Sequence, residues 1–389
     1  MNVLILSWEF PPHVVGGLGA HVAHLAPELA NLGVHVHVVT PRLKGGEPEE
    51  SSGALSVSRV DGGEYAEDFI ENALAVNDYL YGRAAAIVGT QPGGWLIHAH
   101  DWLVAEAAIR LRDDYGLPLL ATIHATEYGR NQGIHTELQA RIHQQEWRLV
   151  SEAAEVIACS RFMASQIAEI FQAPASKLEV IPNGVDVSRL EISALDRAAV
   201  RREYARENEK IALYVGRLVA EKGIYVLLDS VPKVLEIYPA VKFIAVGSGP
   251  SLEDARWRAD QADWSSSIQF TGFVPDEVRN GLYQVADVAI FPSLYEPFGI
   301  VALEAMALGV PVVASDAGGL VEVVDREETG VLVDAGSPDS LAWGIVHVLE
   351  QPALSQQRAE RAYERATTEF NWQAIAQRTL AKYERMLGT

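Results

Sequence analysis

The residues from Asp287 to Ser315 constrain the fold of this chain more than any other stretch. Asp287 to Phe291 reads as an apolar strand, which Pro292 breaks. A turn rich in Pro and Gly follows. A helix of Ala, Leu and Met, all good helix formers, is expected from near Gly299 to just before Gly309-Val310-Pro311. Pro311 to Ser315 then reads as another strand. Strand, loop, helix and strand in that order build a parallel sheet, and in an open parallel sheet ligands bind at the carboxyl ends of strands, where this loop lies. The unpaired N–H groups of a helix start favour an anion or hydroxyl oxygens there.

Two carboxylates bracket the turn: Glu296 in the loop and Glu304 one to two turns into the helix. Gly299 lets backbone approach a ligand closely. A carboxylate accepts hydrogen bonds in pairs, which suits the vicinal hydroxyls of a sugar or a ribose. The plainer alternative makes Glu296 a helix cap and Glu304 a solvated surface charge. Glu304 sits among Ala, Leu and Met on a helix with almost no polar face, however, and a buried charge needs a partner. A binding role for both is therefore the favoured reading.

The same alternation runs through the chain. Val3 to Leu6 is a continuous apolar run, as expected of a strand buried on both faces. Pro11-Pro12 forbids an immediate helix, and Gly16-Gly17-Leu18-Gly19 precedes a helix expected from about Ala20 to Asn31. A dinucleotide fingerprint is rejected, because Val22 stands where a third glycine belongs and no acid closes the strand ending Thr40-Pro41-Arg42. The glycine stretch reads instead as a flap over a ligand or a flexible turn. Glu64 to Ile87 reads as a long helix. Trp95 to His98 reads as a strand leading into His98-Ala99-His100-Asp101-Trp102, where His98, His100 and Asp101 could hold a metal or simply hydrogen-bond neighbouring loops. Leu117 to Ile123 is a strand ending at His124, and Glu127 to Arg130 continues that loop.

In the second half, Ile211 to Val215 is a strand, followed by Gly216-Arg217-Leu218-Val219-Ala220-Glu221-Lys222-Gly223 and a helix to Tyr238. Arg217 and Lys222 thus stand at a strand end and a helix start. Guanidinium, ammonium and helix dipole together suit a diphosphate. Two solvated surface charges are the alternative, disfavoured in so acidic a chain. Further strands end at Gly247-Ser248-Gly249-Pro250 and Gly272-Phe273-Val274-Pro275. The Pro182-Asn183-Gly184 turn marks a hinge, so two domains are expected: 1–190, joined by a last helix within 372–389, and 191–371.

At 389 residues the chain exceeds one ordinary core. A net charge of −21 argues against nucleic acid and against charge-driven binding to anionic membranes. The single cysteine, Cys159, excludes an internal disulfide and fits a reducing compartment, so a cytoplasmic location is expected. Neither a secretory signal nor a spanning helix is evident.

Glu-Pro-Phe-Gly-Ile followed by Glu304 resembles the paired-glutamate motif of the retaining glycosyltransferases of family four, which include the glycogen and starch synthases. The resemblance extends to the Gly-Arg…Lys-Gly loop, to His-Ala-His-Asp-Trp and to Thr122-Ile123-His124. It implies the α/β architecture called GT-B, two doubly wound Rossmann-like domains facing across a cleft. It further implies transfer of a hexose from a nucleotide diphosphate sugar to a carbohydrate acceptor with retention of configuration, in polysaccharide or exopolysaccharide building. UDP-glucose is the first donor expected and ADP-glucose the second. No cofactor is expected, and no metal, since no Asp-x-Asp triplet occurs.

By the same resemblance, Arg217 and Lys222 stabilise the leaving diphosphate, Glu296 the sugar and Glu304 the ribose. The amides near Phe298, Gly299, Ile300 and Val301 help hold the donor. Gly16, Gly17, Gly249 and Val274 also approach the donor, and His124 lines the sugar pocket. Asp101 and Glu127 lie on the acceptor side. A sugar-nucleotide epimerase, a maltosaccharide synthase using ADP-glucose, a phosphorylase carrying pyridoxal phosphate and a non-enzymatic sugar-binding protein are the alternatives.

Overall fold

The computed structural model describes residues 1–62, 68–90, 94–190 and 196–388. These divide into two compact units: Met1–Asn183 with Trp372–Thr389, and Gly184–Asn371. The break falls inside the Asn-Gly turn. Residues 191–195, where the sequence set the start of the second domain, lie outside the described residues.

The first unit begins β1 (Asn2–Ser7), α1 (Gly17–Asn31), β2 (His35–Pro41), β3 (Glu49–Ser52), β4 (Leu55–Val60) and α2 (Phe69–Thr90). It continues with β5 (Trp95–His100), α3 (Ala105–Tyr115), β6 (Leu119–Ile123), α4 (Glu127–Asn131) and α5 (Glu137–Glu152). Then come β7 (Glu155–Ala158), α6 (Arg161–Phe171) and β8 (Leu178–Val180). The strands form one sheet in the order β3-β4-β2-β1-β5-β6-β7-β8, parallel except for the β3–β4 pair. Val3 to Leu6 are wholly buried, as a strand covered by helices on both faces must be.

The second unit runs α7 (Val187–Leu190), α8 (Arg197–Tyr204), β9 (Lys210–Val215), α9 (Ile224–Ile237), β10 (Val241–Val246), α10 (Leu252–Asp260) and β11 (Ile268–Gly272). It continues α11 (Asp276–Val285), β12 (Val288–Phe291), α12 (Ile300–Ala307), β13 (Val312–Ser315) and α13 (Leu320–Val323). It ends β14 (Val331–Val333), α14 (Pro338–Glu350) and α15 (Pro352–Glu369). Its sheet is all parallel, in the order β11-β10-β9-β12-β13-β14.

The last helix, α16 (Trp372–Leu387), belongs to the first unit. Its Trp372, Ile375, Ala376 and Tyr383 join the core with Val22, Leu25 and Leu29 of α1. Each large apolar side chain buried this way contributes about 1.5–3 kcal/mol, which holds a chain end far away in sequence.

In both sheets the chain reverses direction beside its first strand. β1 lies between β2 and β5, and β9 between β10 and β12. The loops after β1 and β5, and those after β9 and β12, therefore diverge and leave a crevice at the strands' carboxyl ends.

Three elements differ from expectation. The glycines expected before the first helix form its opening turn, since α1 starts at Gly17. Glu9 makes this possible: its Oε2 accepts the N–H groups of Val15 at 2.8 Å and Gly16 at 3.1 Å, anchoring the helix entry with a carboxylate. The expected loop Glu127 to Arg130 is the short helix α4, capped by the Thr126 hydroxyl, which accepts from Gly129 N–H. The long helix expected from Glu64 appears as α2 from Phe69; residues 64–67 lie outside the described residues.

Candidate functional site

In the second unit, the crevice between β9 and β12 is lined by the two loops that the sequence singles out. The β9 loop passes through a short turn of helix at Ala220–Lys222 and ends at Gly223. Gly223 has φ +73°, and any Cβ there would overlap the Pro292 carbonyl, so only glycine lets the two loops touch. Leu294 N–H and Tyr295 N–H both donate to the Glu221 carbonyl, at 2.8 and 3.2 Å. Tyr214 Oη reaches the Arg217 carbonyl at 3.0 Å from inside the core.

On this scaffold Lys222 Nζ lies 2.7 Å from Glu296 Oε2. The Ser293 hydroxyl donates to the same oxygen at 3.2 Å. The Glu296 side chain is only 9 % exposed, so its charge is held by these two donors. Arg217 is exposed and meets no carboxylate among the described residues. Gly299, at φ +110°, caps α12, and the first N–H groups of that helix, at Ile300 and Val301, have no carbonyl a turn behind them. Phe298 is buried beneath the turn.

Glu304 is 17 % exposed, and its Oε1 lies 3.9 Å from the Arg279 guanidinium. Its Oε2 is buried without a partner. Burial pushes its carboxyl pKa up, partly opposed by Arg279. An unpartnered acceptor beside a cation suits a hydroxyl pair that donates to it. Gly249 packs against the β9 loop, where a Cβ would overlap the Leu218 carbonyl. Val274 is half-buried between β11 and α11.

In the first unit, Asp101 and His124 stand at the carboxyl ends of β5 and β6. Asp101 adopts φ 60°, a left-handed conformation costly for a residue with a Cβ. Its Oδ1 accepts the His124 N–H at 2.7 Å. Burial pushes the Asp101 carboxyl up to about 7, against that hydrogen bond. The His124 ring packs edge-on to His21, with centroids 4.9 Å apart, and its Nε2 is 3.0 Å from His100 Nδ1.

Burial pushes His21 down to about 4 and His98 to about 3, and His100 and His124 well below the usual range. Both ring nitrogens of His98 are taken, by Tyr383 Oη and Thr122 Oγ1 at 2.7 Å each. The metal reading of His98, His100 and Asp101 therefore fails. Gly16 is the cap of α1, and Gly17 is exposed in its first turn. Glu127 turns back along α4, where its Oε1 accepts from Asn131 at 2.9 Å.

Within the second unit the structure thus brings Lys222 onto Glu296, with Gly299, Ile300 and Val301 in the same turn and helix start. Within the first it brings Asp101 onto His124. Arg279, Ser293, Glu9 and Glu146 escaped sequence reasoning. Ser293 lies inside the central stretch, where its closeness to Glu296 could have flagged it. Arg279 comes from a different helix, so no local spacing points to it.

The model described as "Glycosyltransferase Family 4" matches residues 15–189, and "Glycosyl transferases group 1" matches residues 196–365. Glycogen synthase of Mycobacterium tuberculosis is 36 % identical over 402 residues, covering 98 % of this chain and 94 % of that protein. D-inositol 3-phosphate glycosyltransferase of Kribbella flavida is 32 % identical over 390 residues, covering 95 % and 90 %. Among solved structures, sucrose-phosphate synthase from Thermosynechococcus elongatus matches with a TM-score of 0.85 at 27 % identity, over 100 % of this chain and 99 % of that one. The two Rossmann-like units are those of the GT-B fold. No helix among the described residues is long and apolar enough to cross a membrane. The strand-end loops of both units, the family models over both halves and the relatives over nearly the full length agree: the chain belongs to the group 1, family four glycosyltransferases.

Proposed function

We propose that this glycosyltransferase moves a hexose, glucose in the first instance, from a nucleotide diphosphate sugar to a hydroxyl of a sugar or polysaccharide, with retention of configuration. The observation that carries the reading is the Lys222–Glu296 contact at the crevice of the second unit, beside exposed Arg217 and the start of α12. Arg217 and Lys222 neutralise the charge that develops on the leaving diphosphate, and the Ile300 and Val301 amides add their dipoles. Glu296, already held by Lys222 and Ser293, accepts hydrogen bonds from sugar hydroxyls. Glu304 offers its free Oε2 to the ribose.

His124 lines the sugar pocket as a neutral imidazole. Gly16 and Gly17 approach the donor diphosphate, and Asp101 and Glu127 serve the acceptor side. The bond from the anomeric carbon to the diphosphate oxygen breaks, and the bond to the acceptor oxygen forms on the same face. The acceptor proton passes to the departing phosphate oxygen, so no side-chain base and no metal is invoked. UDP-glucose is the preferred donor. ADP-glucose is second. The likeness to proteins named for glycogen, inositol phosphate and sucrose phosphate supports a hydroxyl-bearing, carbohydrate-like acceptor, and the glycogen synthase among them favours a role in polysaccharide building. The lone cysteine, buried and outside any disulfide, suits the cytoplasm.

A donor screen scored by nucleotide release, repeated with a panel of sugar acceptors, tests this. Release should require both substrates, and NMR of the product should show the donor's anomeric configuration. Donor conversion without any acceptor would identify an epimerase instead, and the absence of nucleotide release from every donor tried would refute transfer.

A further inference from the structure

Glu304 faces a cation that stops short of it. Arg279, on α11, brings its Nη2 to 3.9 Å from Glu304 Oε1, beyond hydrogen-bond reach, and Glu304 Oε2 is buried with no partner. The stand-off has a cause. Arg279 Nε and Nη2 both donate to Asn280 Oδ1, at 3.2 and 3.1 Å, and Nη1 lies 2.9 Å from Asp276 Oδ1. Asn280 is itself buried and tied down, since its Nδ2 donates to the Arg189 carbonyl at 3.2 Å. The wholly buried Tyr283 fixes α11 to α12, where its hydroxyl donates to the Val301 carbonyl at 3.1 Å. The guanidinium fork is thus engaged on its own helix, one helix away from the carboxylate it faces.

Lys222 and Glu296 differ in this respect, because their contact at 2.7 Å takes up a carboxylate oxygen. Burial pushes the Glu304 carboxyl up, Arg279 opposes that rise, and Asp276 adds to it. An opposite charge within about 4–6 Å favours the ionised carboxylate, and at this distance it leaves the lone pairs open. We propose that Arg279 is a positioning residue for the donor: it keeps Glu304 charged and uncovered for two ribose hydroxyls, and so sets a preference for ribonucleotides over their 2′-deoxy forms. Hydrogen bonds to an ionised group are roughly twice as strong as neutral ones, so the charge on Glu304 matters for the hydroxyls it accepts. The role of Arg279 rests on Glu304 as the ribose acceptor of the proposed reaction, and supplies the group that prepares it.

Titration calorimetry of the full chain with UDP and ADP, and with their 2′-deoxy forms, tests this, and the nucleotide bound more tightly serves for the variants. Arg279→Met should weaken it about tenfold and shrink its advantage over the 2′-deoxy form, a ratio that general damage would not move. Arg279→Lys, which keeps the charge, should recover most of the loss. In Glu304→Gln, where no charge remains to be held, Arg279→Met should cost nothing further. Unchanged affinity in folded Arg279→Met, or the same loss in both backgrounds, would overturn the role of Arg279 alone. No binding of either nucleotide to the wild type would overturn the donor reading and the role of Arg279 with it. Should Arg279→Met fail to fold, a crystal structure of the wild type with the nucleotide decides. Glu304 should accept from the ribose hydroxyls with Arg279 still held by Asp276 and Asn280. Arg279 hydrogen-bonded to Glu304, or a ribose away from Glu304, would overturn the proposal.

Discussion

Lys222 and Glu296, which are 74 residues apart in sequence, meet at 2.7 Å because Gly223 lets the β9 loop rest on the Pro292 carbonyl. The ammonium is thereby fixed beside the carboxylate instead of ranging through solvent, and the two groups are ready for a ligand that carries both anionic and hydroxyl oxygens. Lys222→Ala removes the cation and leaves Glu296 with Ser293 as its remaining donor. Losing one donor to developing transition-state charge typically costs 10²- to 10³-fold in kcat, about 2.7–4 kcal/mol. Steady-state kinetics on folded Lys222→Ala should show a loss of roughly that size, and an unchanged kcat would remove Lys222 from the reaction.

Transfer should survive a chelator. The diphosphate is assigned to Arg217, Lys222 and the start of α12, so the assignment leaves no step for a metal ion. Initial rates with and without EDTA should agree. A loss restored by Mg²⁺ or Mn²⁺ would contradict the assignment.

Glu146 should make the protein's stability pH-dependent. Its Oε1 accepts Glu127 N–H at 2.8 Å, its Oε2 has no hydrogen bond and lies 3.9 Å from His143 Nδ1, and burial pushes its carboxyl up to about 8. A carboxyl whose folded pKa is raised above its ordinary value of 4.5 binds its proton more tightly when folded. The stability this lends is full below pH about 4.5 and is lost as pH rises through about 8. Glu146→Gln keeps the acceptor for Glu127 and never ionises. Denaturant melts should therefore show the variant gaining on the wild type between those two values. Parallel pH curves would contradict it.

The net charge of −21 should keep the protein off anionic vesicles. Co-sedimentation at low salt should recover it in the supernatant. Binding that salt reverses would reveal a basic patch that the sum of charges hides.

The alternation of strand and helix was legible because each unit is local: an apolar run, a Gly or Pro stop, an amphipathic or apolar helix. Arg217, Lys222, Glu296 and Glu304 also lie in short stretches, at strand ends and helix starts that local pattern places. What stayed hidden joins distant parts of the chain. His21 meets Asn183, 162 residues away, and Arg279 faces Glu304 from another helix. The start of α1 differs from expectation for a related reason. Gly16 to Gly19 reads as a flap or flexible turn until the distant Glu9 carboxylate takes up the Val15 and Gly16 N–H groups. Glu127 to Arg130 is too short for periodicity to show, and its helix rests on the Thr126 cap and on buried Glu146.

The most direct test of the account is titration calorimetry of UDP and UDP-glucose with Glu304→Gln and Glu296→Gln. A hydrogen bond to a charged group contributes about 1.5–3 kcal/mol, so losing one weakens binding roughly ten- to hundredfold. Glu304→Gln should weaken free UDP by that factor, because the ribose hydroxyls lose the carboxylate. Glu296→Gln should leave free UDP nearly unchanged and weaken UDP-glucose or its turnover. Equal loss of free UDP binding in both variants, with folding intact, would contradict the division of the donor between the two glutamates.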